Sequence, residues 1–453
     1  MNSNDLTSGS ILKKLFTFFI PVLLGMLFQQ LYNTVDAIVV GRCVGHEALA
    51  AVGGSPAVII NLVIGFFTGL AAGATVVISQ CFGARDQRRL SRSVHTVVTF
   101  YILVGLSLTL LGWFAAPWAL RLIQTPEDIF SDSLRYLRIY FLGAAPLLLF
   151  NIGSGILRAV GDSRRPLAFL GVCFSLNIVL DLAFVAGLRM GVAGAALATA
   201  LSQTVSALLV LIHLVRAGGE VRLRFRELGI DLTVLGHILY IGIPAGLQSA
   251  MYGLSNIIIQ AFINGFGTVV VAAWTAIGKV DGVYWVTSNS FGVAICTFVG
   301  QCFGAGKYDR MKQGTRQWLI AALIASFALS AALLSLGRWL LGFFTDNGDV
   351  IEEAVRMLWY FVPFYPVWSF IEIISNTLRG AGDAIPPTVI SLVGVCLLRI
   401  LWLLLVVPVW NSVMGISMSY PFTWTVTALA YIIYYLRSGW LARCTGETRR
   451  RPA

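Results

Sequence analysis

Twelve apolar stretches, each more than twenty residues long, run in series through the 453-residue chain. They fall at about 15–40, 48–79, 94–116, 133–157, 167–187, 191–215, 235–262, 268–299, 317–337, 354–378, 388–409 and 413–436. A stretch of that length crosses the hydrocarbon core of a bilayer as a helix, which satisfies its own backbone groups where water cannot. Only 12% of the residues are charged, against 57% hydrophobic. A soluble chain carries about 25% charged residues, so a cytosolic enzyme, a disordered chain and a secreted disulfide scaffold are excluded.

Alternating the stretches across the bilayer from an inside N-terminus puts 23 of the 32 basic residues in inside segments. They include Arg85, Arg88, Arg89 and Arg92, the linker Arg216, Arg222, Arg224 and Arg226, and the tail Arg449, Arg450 and Arg451. This bias sets orientation and places both termini in the cytoplasm of a multi-pass cell-membrane protein. It also accounts for the net charge of +11 without a nucleic-acid partner. Lys13 and Lys14 precede an apolar run from Leu15 to Val40. That run exceeds the apolar core of a cleaved signal, so it reads as a retained first helix. The seven cysteines form no CxxC and no Cys/His cluster, so neither a structural metal nor a disulfide framework is expected.

Two motifs recur. Ser79-Gln-Cys-Phe-Gly-Ala84 returns as Gly300-Gln-Cys-Phe-Gly-Ala305, and Leu157-Arg-Ala-Val-Gly-Asp162 returns as Leu378-Arg-Gly-Ala-Gly-Asp383, both 221 residues later. Pro21 matches Pro244, and Asn33 matches Asn256, at an offset of 223. A repeat unit of six helices starts each half on the same side of the membrane, the parallel type of repeat found in transporters. The predicted fold is therefore all-α, with twelve transmembrane helices in two six-helix lobes. The N-terminal lobe is 1–216, a basic cytoplasmic linker 217–232, the C-terminal lobe 233–437 and a basic cytoplasmic tail 438–453. Facing lobes leave a cleft that rocking can open to either side.

The first helix reads Tyr32-Asn-Thr-Val-Asp36-Ala-Ile-Val-Val-Gly41 after Pro21, and leads into Ala48-Leu-Ala-Ala-Val-Gly53. With the paired Gln-Cys-Phe-Gly-Ala and Arg-x-x-Gly-Asp motifs, essentially the whole chain resembles the multidrug and toxic compound extrusion (MATE) family. It resembles the branch named for DNA-damage-inducible protein F more than the sodium-coupled norfloxacin exporters. Those carry a Glu in helix 7 shortly after the Pro, whereas Pro244-Ala-Gly-Leu-Gln-Ser-Ala-Met-Tyr252 has no acid. The resemblance implies export of cationic or amphipathic small molecules in exchange for inward H+ or Na+, with no cofactor, by a chain that works as a monomer.

Charged side chains inside a bilayer are costly and mark function by default. Six fall within the stretches: Asp36, Asp181, Lys279, Asp281, Glu372 and Arg399. The four acids and two bases sum to −2, which favours cationic cargo. Gln29, Asn33 and Asp36 share one face of helix 1, Asn177 and Asp181 one face of helix 5, and Thr199 and Gln203 one face of helix 6. These stripes should converge inside the N-terminal lobe. Two carboxylates together in low dielectric cannot both stay ionised cheaply, so the pair should take up a proton or a cation. Asp36, Asn177, Asp181 and Thr199 are oxygen donors suited to a hard ion such as Na+. The family's coupling site, an Asp on helix 1, Asn-x-x-x-Asp on helix 5 and a Thr on helix 6, is matched at each position. Alternatively, Asp36 caps an unwound segment and Asp181 sits solvated at a helix end.

In the C-terminal lobe, Gln248, Tyr252 and Asn256 line helix 7 and Asn376 follows Glu372 by one turn. With Lys279, Asp281, Glu372 and Arg399 they form a possible substrate or ion network, or a network that only fixes packing. Glu372 is expected to pair with Lys279 or Arg399. Tyr32, Trp274, Tyr284 and Trp285 are candidates to line an apolar cleft for flat cations. Pro21 is a candidate hinge. Gly304-Ala-Gly-Lys307 followed by Tyr308 is no phosphate-binding loop, and no His-Glu-x-x-His or Gly-x-Ser-x-Gly occurs. This argues against an ATP-driven pump or an enzyme. The remaining alternatives are a lipid-linked saccharide flippase of the same superfamily and, from another class, a membrane enzyme or receptor.

Overall fold

The computed structural model describes residues 5–218 and 221–445; the expected basic tail lies outside the described residues from 446 onward. The chain is almost wholly helical. Its first half holds α1 (Ile11–Cys43), α2 (His46–Gly53), α3 (Ser55–Gly83), α4 (Gln87–Leu122), α5 (Glu127–Leu142), α6 (Ala144–Ala159), α7 (Arg164–Asp181) and α8 (Gly191–Arg216). The second half holds α9 (Leu232–Asn264), α10 (Thr268–Val280), α11 (Gly282–Gly304), α12 (Tyr308–Leu341), α13 (Gly348–Phe361), α14 (Tyr365–Gly380), α15 (Ile385–Ser391), α16 (Leu398–Leu405), α17 (Val407–Trp410), α18 (Val413–Arg437) and α19 (Trp440–Thr445).

Among the described residues, ten helical segments are long and apolar enough to cross a membrane, and α5 with α6, bent by 47°, makes an eleventh. The stretch expected at 268–299 is not one helix. It breaks at Asp281, between α10 and α11.

Polar side chains start several helices by accepting the free N–H groups of the first turn. Asp86 accepts from Arg89 N–H at 3.0 Å, Asn347 from Asp349 N–H at 3.0 Å, and Ser412 from Met414 N–H at 3.2 Å. The repeated sequence motifs end helices. After α6, Gly161 (φ 88°) donates to Arg158 C=O and Asp162 N–H reaches Leu157 C=O, each at 2.9 Å. After α14, Gly382 (φ 96°) donates to Arg379 C=O at 2.9 Å and Asp383 N–H reaches Leu378 C=O at 3.0 Å. A left-handed residue just past a helix closes its last carbonyls, and glycine adopts that conformation without strain. The Gly-Asp shared by the two copies of Arg-x-x-Gly-Asp is thus explained by chain reversal rather than by a ligand.

Two compact units emerge. One holds Ile20–Gly246 and the start of the chain up to Leu6; the other holds Thr7–Phe19 and Leu247 onward. In the first unit α6 packs against α3, α4 and α8. The first half of α9 lies along α3 in the same unit. A methyl group at Gly69, Gly73, Gly242 or Gly246 would come within 2.7 Å of the facing backbone. Gly69 and Gly73, like Gly242 and Gly246, are four residues apart, the small-residue spacing that lets membrane helices approach closely. In the second unit α14 packs against α11, α12 and α18. Phe16 and Phe19, from the start of α1, stack with Phe291 and Trp318 there at ring distances of 4.4 to 5.5 Å. Lys307 and Arg310 hold the backbone carbonyls of Thr7 and Gly9 at 2.9 and 2.8 Å.

Two helices widen into π-turns. After Asp181, Leu182–Gly187 is π-helical, and Leu188 N–H reaches back to Ala183 C=O at 2.8 Å. Between α15 and α16, Leu392–Leu397 is π-helical as well, and Leu398 N–H bonds Val393 C=O. Such turns concentrate at functional positions.

Candidate functional site

The first unit brings Asp36, Asn177, Asp181 and Thr199 together. α1 supplies Asp36, the end of α7 supplies Asn177 and Asp181, and α8 supplies Thr199. Asn177 and Asp181 are fully buried and Thr199 is 8% exposed. Oriented with its nitrogen toward the acids, the Asn177 amide donates to Asp36 Oδ1 at 3.0 Å and to Asp181 Oδ2 at 3.2 Å. Thr199 Oγ1 donates to Asp36 Oδ2 at 3.5 Å. Among the described residues, Asp181 Oδ1 has no hydrogen-bond partner.

Two carboxylates on one neutral donor, with no base paired to either within 4.0 Å among the described residues, form an acid pair short of positive charge. Such a pair holds a proton between its oxygens or closes around a small cation. The unpartnered oxygen of Asp181 and the three other oxygen-bearing side chains suit either occupant. Asp181 sits where the α-helix gives way to the π-turn, so it is neither solvated nor at a free helix end. Asp36 lies within the continuous helix α1 and does not cap an unwound segment.

The rest of the expected polar face separates from this cluster. Gln203 is buried on α8, its Oε1 without a partner among the described residues. Gln29 and Asn33 are exposed on α1. Tyr32 is buried, and Tyr136 and Tyr140 of α5 stand near enough to Asp36 to feel its charge. These two were missed in the sequence. They sit four residues apart on one helix face, but their aromatic character reads as packing. They line the cluster's apolar side with Val39, Val185 and Val192.

In the second unit the charges are dispersed. Glu372 pairs with neither Lys279 nor Arg399, contrary to expectation. Its Oε1 accepts from Asn376 Nδ2 at 2.8 Å, and Lys279 is exposed. Arg379, which the sequence reading passed over, donates to Gln248 Oε1 at 2.6 Å, and Gln248 Nε2 donates to Tyr252 Oη at 2.8 Å. Asn256 is exposed. Asp281, at the break between α10 and α11, accepts from Trp285 Nε1 at 2.8 Å and from Tyr365 Oη at 2.9 Å. Arg399 donates to Thr423 Oγ1 at 3.1 Å and lies 4.0 Å over the Tyr420 ring.

Three of the four expected cleft aromatics, Trp274, Tyr284 and Trp285, belong to a packed cluster of the second unit, and Tyr32 does not. Tyr284 is 1% exposed, stacks on Tyr365 at 3.8 Å and donates to its carbonyl. Trp274 and Trp285 touch the same cluster through Tyr420, Tyr365 and Trp424. Pro21 and Pro244 lie inside the continuous helices α1 and α9. Each removes one backbone hydrogen bond there.

The chain is 29% identical over 444 residues to the probable multidrug resistance protein YpnP of Bacillus subtilis, covering 98% of each. It is 28% identical over 436 residues to the probable multidrug resistance protein YoeA of the same organism, covering 94% of each. Its fold matches the solved structure of a MOP superfamily transporter from Pyrococcus furiosus, with a TM-score of 0.90 at 22% identity over 99% of both chains. The sequence model of the MatE family matches residues 21–183 and again 244–405. Matched in both halves over more than two thirds of its length, this chain belongs to the MatE family.

Proposed function

We propose that the protein is a secondary active antiporter that exports cationic or amphipathic small molecules in exchange for H+ or Na+ by alternating access. The observation that carries the reading is the acid pair around Asn177, half-buried Asp36 and fully buried Asp181. It is a site whose charge must change when a proton or cation enters, and no base among the described residues is paired with it. The relatives' names, both probable multidrug resistance proteins, support an exporter of drug-like compounds.

We propose twelve membrane crossings in two six-helix lobes. α1 and α9, α4 and α12, α5 and α13, α6 and α14, and α7 and α15 each begin 221 residues apart. α10 and α11 together supply one crossing, as α2 and α3 do. The 25-residue α18, rich in hydroxyl and aromatic side chains, supplies the last. The proposed boundaries are 1–216, 217–232, 233–437 and 438–453, with both termini in the cytoplasm and a monomer as the working unit. The branch named for DNA-damage-inducible protein F remains our assignment, supported by the acid-free Pro244–Tyr252 segment.

In this reading the acid pair, when charged, favours bound cargo of positive charge. Entry of H+ or Na+ from outside neutralises it, and Pro21, where α1 lacks a backbone bond, lets that helix bend as cargo leaves. The test is transport of a cationic dye by the protein in proteoliposomes, under H+ and Na+ gradients imposed separately. One gradient should drive uptake of dye against its own gradient, and Asp36→Asn should abolish that driving. Dye movement indifferent to both gradients would overturn the proposal.

A further inference from the structure

We infer that His95 of α4 is a proton-sensitive latch on the linker that joins α8 to α9. His95 is 4% exposed, and both of its ring nitrogens are engaged. Nε2 lies 3.0 Å from the Arg224 backbone nitrogen, and Nδ1 lies 2.7 Å from the Ser91 carbonyl oxygen. A backbone N–H only donates and a carbonyl only accepts. Nε2 therefore carries the lone pair and Nδ1 the hydrogen, so the two bonds together hold the imidazole neutral and in one tautomer.

A proton arriving at Nε2 takes away the acceptor of the Arg224 N–H. The imidazolium then faces Glu227, whose Oε2 is already 3.8 Å from Nε2. The Arg224 guanidinium donates to Glu227 Oε1 at 2.7 Å and holds that carboxyl below the usual carboxylate range, which keeps it charged. The ring thus exchanges a backbone partner for an ion pair. Among the described residues, no other acid lies within 4.0 Å of His95. Arg88, Arg89 and Arg92 share its end of α4, and Arg92 stands 3.8 Å from Asp231 just before α9. Of the other helices packed on α4, α3 carries no charged residue and α6 only Arg158. α5 sets its charged residues, the last of them Arg138 at Trp113, along the far half of α4.

The contact at Arg224 is the middle one of three that hold the linker. Leu223 N–H bonds Leu214 C=O at 3.0 Å on the α8 side. On the α9 side Asp231 N–H donates to Thr96 Oγ1 at 3.1 Å, and the Asp231 carboxylate accepts from Thr233 and Val234 N–H at 3.0 and 3.2 Å. Release at His95 therefore leaves the start of α9 in place and frees the chain before it. α9 begins in the first unit and ends in the second, so the latch sets how much free chain precedes the helix that passes from one unit to the other. That the latch reads cytoplasmic pH rests on the orientation proposed above; the latch itself does not.

The test is amide hydrogen exchange of the full-length protein in detergent, read in linker peptides that cover Arg224. Each rate is divided by that of the same peptide unfolded, so that the direct effect of pH cancels. Between about pH 8 and about pH 5, the range over which histidine changes charge, protection should fall about tenfold, the factor of one lost hydrogen bond. His95→Gln, which stays neutral throughout, should lose that dependence. Equal protection at both ends of the range in the unmodified protein would overturn the inference, and so would a fall that persists in His95→Gln. Should His95→Gln fail to fold, Glu227→Gln decides. Without the acid that faces the ring the fall should begin at lower pH, and an unmoved midpoint overturns the inference. The exchange is read without cargo or gradient, so it succeeds or fails independently of dye transport.

Discussion

The two units handle buried charge in opposite ways. The first gathers two acids around one amide nitrogen. The second spreads its charges out and hydrogen-bonds them mainly to neutral partners: Trp285 and Tyr365 for Asp281, Asn376 for Glu372, Gln248 for Arg379, Thr423 and Tyr420 for Arg399, with Arg379 also close enough to Glu372 to attract it. Like charges pressed together are sensitive to what binds between them, because one added positive charge relieves the repulsion. Charges separated and hydrogen-bonded one by one gain little from such an occupant. On the antiporter reading proposed above, the contrast gives ion response to the first unit.

The sharpest way to break this division is Asp36→Asn. Gradient-driven efflux should fall by about 5- to 150-fold, the usual span of a coupling between two sites. Asp181→Asn should match it, and the double variant should be no worse than either, since the pair acts as a unit. Efflux near the unmodified rate in Asp36→Asn would return ion response to the second unit. A stability measurement comes next. Asn177→Leu leaves buried Asp181 and half-buried Asp36 without their shared donor and should cost about 1–3 kcal/mol in chemical or thermal unfolding. Gln248→Leu, the matching loss in the second unit, should cost less, because Arg379 is only half-buried.

Glu372→Gln should be milder still, under about 1 kcal/mol, since a glutamine oxygen still accepts from Asn376, and Arg379, the base that attracts Glu372, keeps its bond to Gln248. A large loss would mean that the charges of the second unit form a network after all.

The smallest effect compares the two copies of one motif. Asp162 bonds the Arg165 guanidinium at 2.8 Å, whereas burial pushes the Asp383 carboxyl up, against the Tyr434 hydroxyl that donates to it at 2.6 Å and the more distant Arg443 at 3.8 Å. For a carboxyl shifted upward in the fold, ionisation costs stability. Its favourable contribution is present below the unfolded pKa of about 4 and is lost as pH rises through the folded value. Asp383→Asn should therefore raise the melting temperature slightly at pH 7 and leave it unchanged at pH 4. Asp162→Asn should lower it at pH 7. Equal responses would make the two copies electrostatically alike.

The acid pair and its amide were legible because their pattern is local. Asn177 and Asp181 share a face by helical spacing alone, and an acid in an apolar run stands out. The helix plan followed from the length of those runs. Partners across helices were not legible. Nothing in the spacing says that Arg379 reaches Gln248 rather than Glu372, or that Tyr136 and Tyr140 back onto Asp36. The π-turns were hidden too, because a widened turn leaves the apolar composition of its helix unchanged. The break at Asp281 escaped notice for a related reason: apolar runs on both sides of one acid read as continuous.

The glycine seam between α3 and the first half of α9 restricts how this sequence can drift. At the aromatic cluster of the second unit, an exchange of Phe for Tyr or Tyr for Trp trades one bulky ring for another and leaves a neighbourhood able to adjust. At Gly69, Gly73, Gly242 and Gly246 the fit depends on atoms that are missing, and even one carbon meets backbone, which cannot rotate away. Every single substitution at these four positions is an addition, so none is conservative. A neutral path between relatives must go around them, and a random mutation library of this protein should return those positions unchanged while the rings around Trp424 vary.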